Sequence, residues 1–262
     1  SEKQKLFEIT NCLNENETPS LQIRHFIRQQ MPINLAPKLL RLAFHEAMTR
    51  KGMSAILFDD ESMAELLTKE VHKNMAPAFS FIHNTLESMS QKGYMNISAN
   101  QLIYLAGAVA VEITGGPYIL FELPMDSNMK DPENEKADHP TQESNSQESK
   151  PPGIPIETEK FYEIYIRFKR AGLDRKDMVA LMGAHTLGMV DGRYFTSNPY
   201  QFDNEFYQRL LRDDLSMTYA VLASDRELLK DSKSTQYVEL YAEDQEAFFN
   251  DFRNAYLKMI QI

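Results

Sequence analysis

Apolar residues return at three- and four-residue spacing along most of the chain, and no stretch alternates apolar with polar over a strand's length. The pattern predicts an all-helical (all-α) protein. One helix opens around residues 34–37, with Asn34 as its cap and Pro37 in the first turn, and runs on through Leu39, Leu40, Leu42 and Phe44. Ser98 and Gln101 have the spacing of a capping box, and the helix they open continues through Val111 to stop at Gly115, Gly116 and Pro117. A third start, Asp174 with Asp177 three residues on, follows a stop at Gly172. Near the C-terminus Ala247, Phe248, Phe252, Ala255, Tyr256 and Met259 form the stripe of a last helix.

Residues 126–152 break the pattern: only Met129 and Ala137 are apolar there, among seven acids and three bases. Such a segment cannot pack a core and reads as a solvated, disordered insert. It divides an N-terminal helical region, residues 1–125, from a C-terminal one, residues 153–262.

Composition narrows the class. The chain has 262 residues, 42% of them hydrophobic and 25% charged, enough for one large domain or two modest ones with a sizeable core. A formal charge of −10, with no local basic patch, excludes nucleic acid and anionic membrane surfaces as expected partners. No apolar run reaches the length of a transmembrane segment, and the first five residues, SEKQK, are too polar for a signal peptide. A soluble intracellular chain is expected, in a mitochondrion or plastid if a leader has been removed. Cys12, the single cysteine, allows neither an internal disulfide nor a cysteine-based zinc cluster. The chain has no tryptophan.

Three constellations could carry chemistry. Arg41 and His45 lie four residues apart in a predicted helix and so share a face. A guanidinium beside an imidazole disfavours its protonation, keeps it a base, and can stabilise an anion that leaves; the alternative is a histidine satisfied within the core. His185 follows a strongly apolar helix and has Gly183, Ala184 and Gly188 around it. Small neighbours would let a flat group approach, which suits an axial ligand to haem iron; the alternative is a histidine capping the last carbonyls of that helix. A ligating imidazole usually gives its second N–H to a carboxylate. Asp225 is the candidate, with a helix N-cap as its other reading.

These strings together resemble the plant-type haem peroxidases. Residues 40–45, LRLAFH, resemble their distal helix, and residues 178–188, MVALMGAHTLG, their proximal helix. Residues 105–117, LAGAVAVEITGGP, are similar to the intervening helix of the intracellular branch, which holds ascorbate peroxidase and cytochrome c peroxidase. TSNP from Thr196, FDN from Phe202 and YAEDQEAFF from Tyr241 extend the likeness over about residues 30–260.

The resemblance implies a two-domain helical fold with haem b between a distal and a proximal region, and hydrogen peroxide as substrate. It implies that His45 moves the peroxide proton, that Arg41 stabilises charge on the O–O bond, and that His185 ligates iron with Asp225 behind it. The asparagine that orients the distal histidine falls between His72 and Asn74, and Asn74 is taken. Phe44, Phe195 and Pro155 would contact the haem, the two phenylalanines standing where the branch has tryptophans. Thr186, Thr196, Asn198, Gln201 and Asp203 fall where ascorbate peroxidase holds a cation, and their oxygen-rich set of low charge suits potassium.

The departures point away from ascorbate. Ile33 stands where ascorbate peroxidase has a lysine, the loop between His185 and Phe195 is short, and its arginine is missing or displaced to Arg193. The donor is therefore an unidentified reductant or protein partner. The loop's usual haem-propionate contacts go with it, so a second reading stays open: a pseudoperoxidase serving as a structural subunit or interaction module, with haem weak or absent. With Phe195 in place of a tryptophan, Tyr194 is the nearest oxidisable side chain by sequence.

Overall fold

The computed structural model describes residues 18–49, 74–93, 97–123, 153–212 and 219–261. The insert at 126–152, His72 and Cys12 lie outside these residues. Among them the chain forms ten α-helices: α1 (Pro19–Gln30), α2 (Ala36–Met48), α3 (Ala76–Gln91), α4 (Ala99–Ile113), α5 (Phe161–Arg170), α6 (Arg175–Met182), α7 (Glu205–Arg212), α8 (Ala223–Arg226), α9 (Ser232–Glu243) and α10 (Gln245–Met259). None is long and apolar enough to cross a membrane.

The all-helical expectation holds with one exception, a two-stranded ribbon of β1 (Met189–Val190) and β2 (Arg193–Tyr194). Its turn residues, Asp191 and Gly192, both have positive φ, at 48° and 76°. An Asp-Gly pair in that conformation matches the right-handed twist of the flanking strands.

Helix α4 is the central rod of the N-terminal half. Eleven consecutive residues, Gln101 through Val111, are buried, and Gln101 Oε1 accepts the Ser98 backbone N–H at 2.9 Å, as the capping-box spacing predicted. Gly107 lets α2 approach: a Cβ there would stand 2.6 Å from Ala43 Cβ and 2.3 Å from Tyr256 Oη. The start of α2 differs from expectation. Residues 33–35 form a 3₁₀ turn, and Leu35, not Asn34, precedes the helix, so no side chain caps it. A 3₁₀ turn satisfies the first donors by tightening, which removes the need for an Asn cap. The predicted start at Asp174 is present as a reciprocal box with Asp177, both bonds 3.0 Å.

The N-terminal half also contains a buried ion pair between Arg24 and Glu112, with Arg24 Nη2 donating to the Ile119 carbonyl at 2.5 Å. Burial pushes the Glu112 pKa up, and the Arg24 guanidinium opposes this. The C-terminal half is held differently. Phe202, Phe206, Tyr207, Tyr241, Phe248 and Phe252 pack ring against ring, with adjacent centroids 4.8 to 5.9 Å apart. The two halves meet where Phe202 N donates to the Thr114 carbonyl at 2.7 Å and its ring covers Gly116.

Candidate active site

Arg41 and His45 project from α2 one turn apart, and Arg41 Nε donates to His45 Nε2 across 3.4 Å. His45 is buried and Arg41 exposed. As the acceptor of that bond, Nε2 turns its lone pair towards Arg41. Beside it Glu46 is fully buried, a carboxylate that the spacing argument passed over. The ring of Phe44 packs on Phe168 of α5 at 5.7 Å and meets His45 edge-on at 6.4 Å. Asn74, exposed, with φ 65°, sits in the turn before α3, and no hydrogen bond joins it to His45 among the described residues.

His185 lies just past α6, in a 3₁₀ turn over Gly183–Thr186. Tyr207 of α7 shapes that turn: its hydroxyl donates to the carbonyls of Val179 and Ala180 in the last turn of α6, at 2.9 and 3.2 Å. His185 Nδ1 donates to Asp225 Oδ1 at 2.8 Å, while Asp225 Oδ2 accepts from Leu222 N at 3.1 Å. Asp225 is therefore both partner and cap. It is completely buried, whereas the His185 side chain keeps 35% of its surface. Phe195 stacks parallel on the imidazole at 5.2 Å, and Phe206 meets it edge-on at 5.9 Å.

The small residues near His185 have a different explanation from the one their sequence suggested. A Cβ on Gly183 would stand 2.3 Å from Tyr207 Oη and 2.5 Å from Phe248, and one on Gly188 would stand 3.0 Å from Pro37. Both glycines make room for protein. Gly188 also has φ 86° and so meets Pro37, at the start of α2, in a conformation that favours glycine.

Pro155 lies in an extended segment that connects the two halves. Gly153 N donates to the Met48 carbonyl at the end of α2, and Ser224 N, in the helix of Asp225, donates to the Glu157 carbonyl. The five oxygen-bearing residues also come together. Thr186 Oγ1 donates to Asp203 Oδ1 at 2.9 Å, Thr196 Oγ1 to the Thr186 carbonyl at 2.7 Å, and Asn198 Nδ2 to Gln201 Oε1 at 3.4 Å. Sequence reasoning missed Phe206 and Tyr207, although with Leu210 they form one buried face of α7.

The donor set suits haem. One imidazole nitrogen is committed to a buried carboxylate, which leaves Nε2 as the donor atom, on a ring that retains exposed surface.

Comparison with known proteins places the chain in a family. The family model described as Peroxidase matches residues 22–244. L-ascorbate peroxidase 3 of Arabidopsis thaliana is 33% identical over 87% of the chain and 75% of its own length. The peroxisomal L-ascorbate peroxidase 5 of the same plant is 30% identical over 95% and 83%, and its cytosolic L-ascorbate peroxidase 2 is 32% identical over 87% and 84%. The chain therefore belongs to the plant-type haem peroxidases, in their class I branch.

Proposed function

We propose that the chain is an active peroxidase that binds haem b through His185 Nε2 and reduces hydrogen peroxide with a donor other than ascorbate. The single observation that carries this reading is the His185–Asp225 pair, a fully buried carboxylate bonded to an imidazole that keeps exposed surface. When bound, haem supplies the iron at which the O–O bond is reduced.

The chain's own residues do the rest. Asp225 holds the His185 ring in one tautomer and makes Nε2 a stronger donor. His45 Nε2 takes the proton of peroxide and returns it to the departing oxygen, and Arg41 stabilises the charge that develops there. Phe44, Phe195 and Pro155 would line the haem. Thr186, Thr196, Asn198, Gln201 and Asp203 hold a potassium ion, a role supported by their hydrogen-bonded cluster around one carboxylate.

Exposed apolar groups support a donor unlike ascorbate. Ile33, at the entry to α2, and Met189 of β1 are each 48% exposed, and the loop that would hold an anionic donor is the short Met189–Tyr194 hairpin. The relatives' cytosolic and peroxisomal names support an intracellular protein and lend nothing to a mitochondrion or plastid.

Reconstitution with hemin tests the reading: a Soret band is expected that His185→Ala weakens or shifts. A chain that takes up no hemin, or a band unchanged by that substitution, would reject it in favour of the pseudoperoxidase. Saturable ascorbate oxidation as fast as that of other donors would reject the donor assignment.

A further inference from the structure

We propose that Tyr241 is oxidised during peroxide turnover, with Asp251 as its proton acceptor and Tyr237 as the outlet to the surface; this rests on haem binding at His185.

A line of ring contacts leads away from the proximal histidine. His185 meets Phe206 at 5.9 Å, Phe206 meets Tyr207 at 5.0 Å, Tyr207 meets Tyr241 at 5.2 Å, and Tyr241 stacks with Tyr237 at 6.2 Å. Each contact is between adjacent π-systems with nothing interposed. Tyr207 and Tyr241 are fully buried, while Tyr237 reaches the surface in part.

What distinguishes these rings is where a proton could go. An oxidised phenol is a strong acid and is stable only once its proton has left. The Tyr207 hydroxyl faces the carbonyls of Val179 and Ala180, which are hydrogen-bond acceptors but not bases. Phe206 and Phe195 have no proton to lose. Tyr194, the nearest tyrosine in sequence, is 43% exposed, with no carboxylate bonded to its hydroxyl among the described residues. Among the described residues, only Tyr241 on this line donates to a carboxylate, Asp251 Oδ2, at 2.8 Å. Lys176 Nζ holds the other oxygen, Oδ1, at 3.0 Å, and the Asp251 side chain is 19% exposed, so a proton gained there can pass to solvent. Burial and the bond to Asp251 raise the Tyr241 pKa, so the ring keeps its proton until it is oxidised.

The balance is as follows. Reduction of one hydrogen peroxide to two waters consumes two electrons and two protons and breaks the O–O bond. One electron comes from the Tyr241 ring, the second would come from the haem, and the two protons come from solvent. As the Tyr241 O–H bond breaks, its proton bonds to Asp251 Oδ2, which leaves a neutral tyrosyl radical. A one-electron reductant acting twice at Tyr237 restores the ring and, through it, would restore the haem, while Asp251 returns its proton to the ring.

The test is freeze-quench electron paramagnetic resonance of the haem-loaded protein after one equivalent of hydrogen peroxide, with ring-deuterated tyrosine to identify the signal. A tyrosyl signal is expected that Tyr241→Phe abolishes, Asp251→Asn weakens and Tyr194→Phe leaves intact. Circular dichroism and the Soret band report whether each variant is folded and loaded. A tyrosyl signal that survives Tyr241→Phe, or its absence from wild-type protein with a normal Soret band, would overturn the proposal and leave haem binding standing. Failure of the wild-type chain to load hemin would overturn both.

Discussion

The two halves of the molecule fix their histidines by opposite means. His45 sits within a continuous helix, and the cation that conditions it comes from one turn earlier in the same helix, at 3.4 Å. His185 lies past a helix end in a 3₁₀ turn and takes its partner from forty residues on, its stacking ring from Phe195 and its edge contact from Phe206. The supporting interiors differ in the same way. Next to α4 the N-terminal half buries a charged pair, Arg24 and Glu112, whereas around α7, α9 and α10 the C-terminal half packs aromatic rings. A local device survives changes elsewhere in the fold. A device assembled from distant segments is only as good as the packing that brings them together.

That contrast can be broken most directly at the histidines. His45→Leu should slow reaction with peroxide by about 10²–10⁴-fold, the usual contribution of a positioned base, and leave the Soret band of the loaded protein in place. Stopped-flow traces unaffected by the change would remove the distal half from the chemistry.

The buried pair is the next most sensitive point. Arg24→Met leaves the buried Glu112 with only the exposed Arg28 as cation, 3.9 Å away, and should cost about 3–5 kcal/mol in urea unfolding. The loss should shrink on acidification. The folded-state pKa of Glu112 is raised by burial, so the folded variant takes up a proton before the unfolded chain does and gains stability as pH falls towards that raised value. A deficit that grew as pH fell would contradict this sign.

On the proximal side Asp225→Asn keeps the shape and removes the charge behind His185. Hemin affinity should fall by about 10–100-fold, the usual effect of losing a partner behind a ligand. Unchanged affinity would mean that Phe195 and Phe206 alone orient the ring.

The smallest expected effect separates two explanations of one glycine. Gly183→Ala places a methyl against Tyr207 and Phe248 and should cost about 1–3 kcal/mol by overpacking, measured on the haem-free protein. If the glycine served haem alone, the haem-free chain would be as stable as wild type.

The candidate site was unevenly legible. Arg41 with His45 and Asp174 with Asp177 could be paired on paper, since helix geometry converts a spacing of three or four into contact. Asp225 was proposed because a ligating imidazole needs a carboxylate, and resemblance supplied where to look. Asn74, taken from an alignment that slid between two positions, stands exposed in a left-handed turn. The Met189–Tyr194 hairpin was missed because two-residue strands are too short for alternation to register. Tyr207 was missed because nothing local marks a phenol that caps another helix.

The sequence by itself determined the helical class, the helix starts that rest on reciprocal capping, and the face shared by Arg41 and His45. Each depends on φ, ψ and side-chain geometry within one or two turns. Only the tertiary structure decided that Gly183 makes room for Tyr207, that Gly188 meets Pro37, and that residues 153–157 connect the end of α2 to the helix of Asp225. These contacts join segments far apart in the chain, and close packing, which leaves no space for a misplaced methyl, selects among the many arrangements that local preference allows.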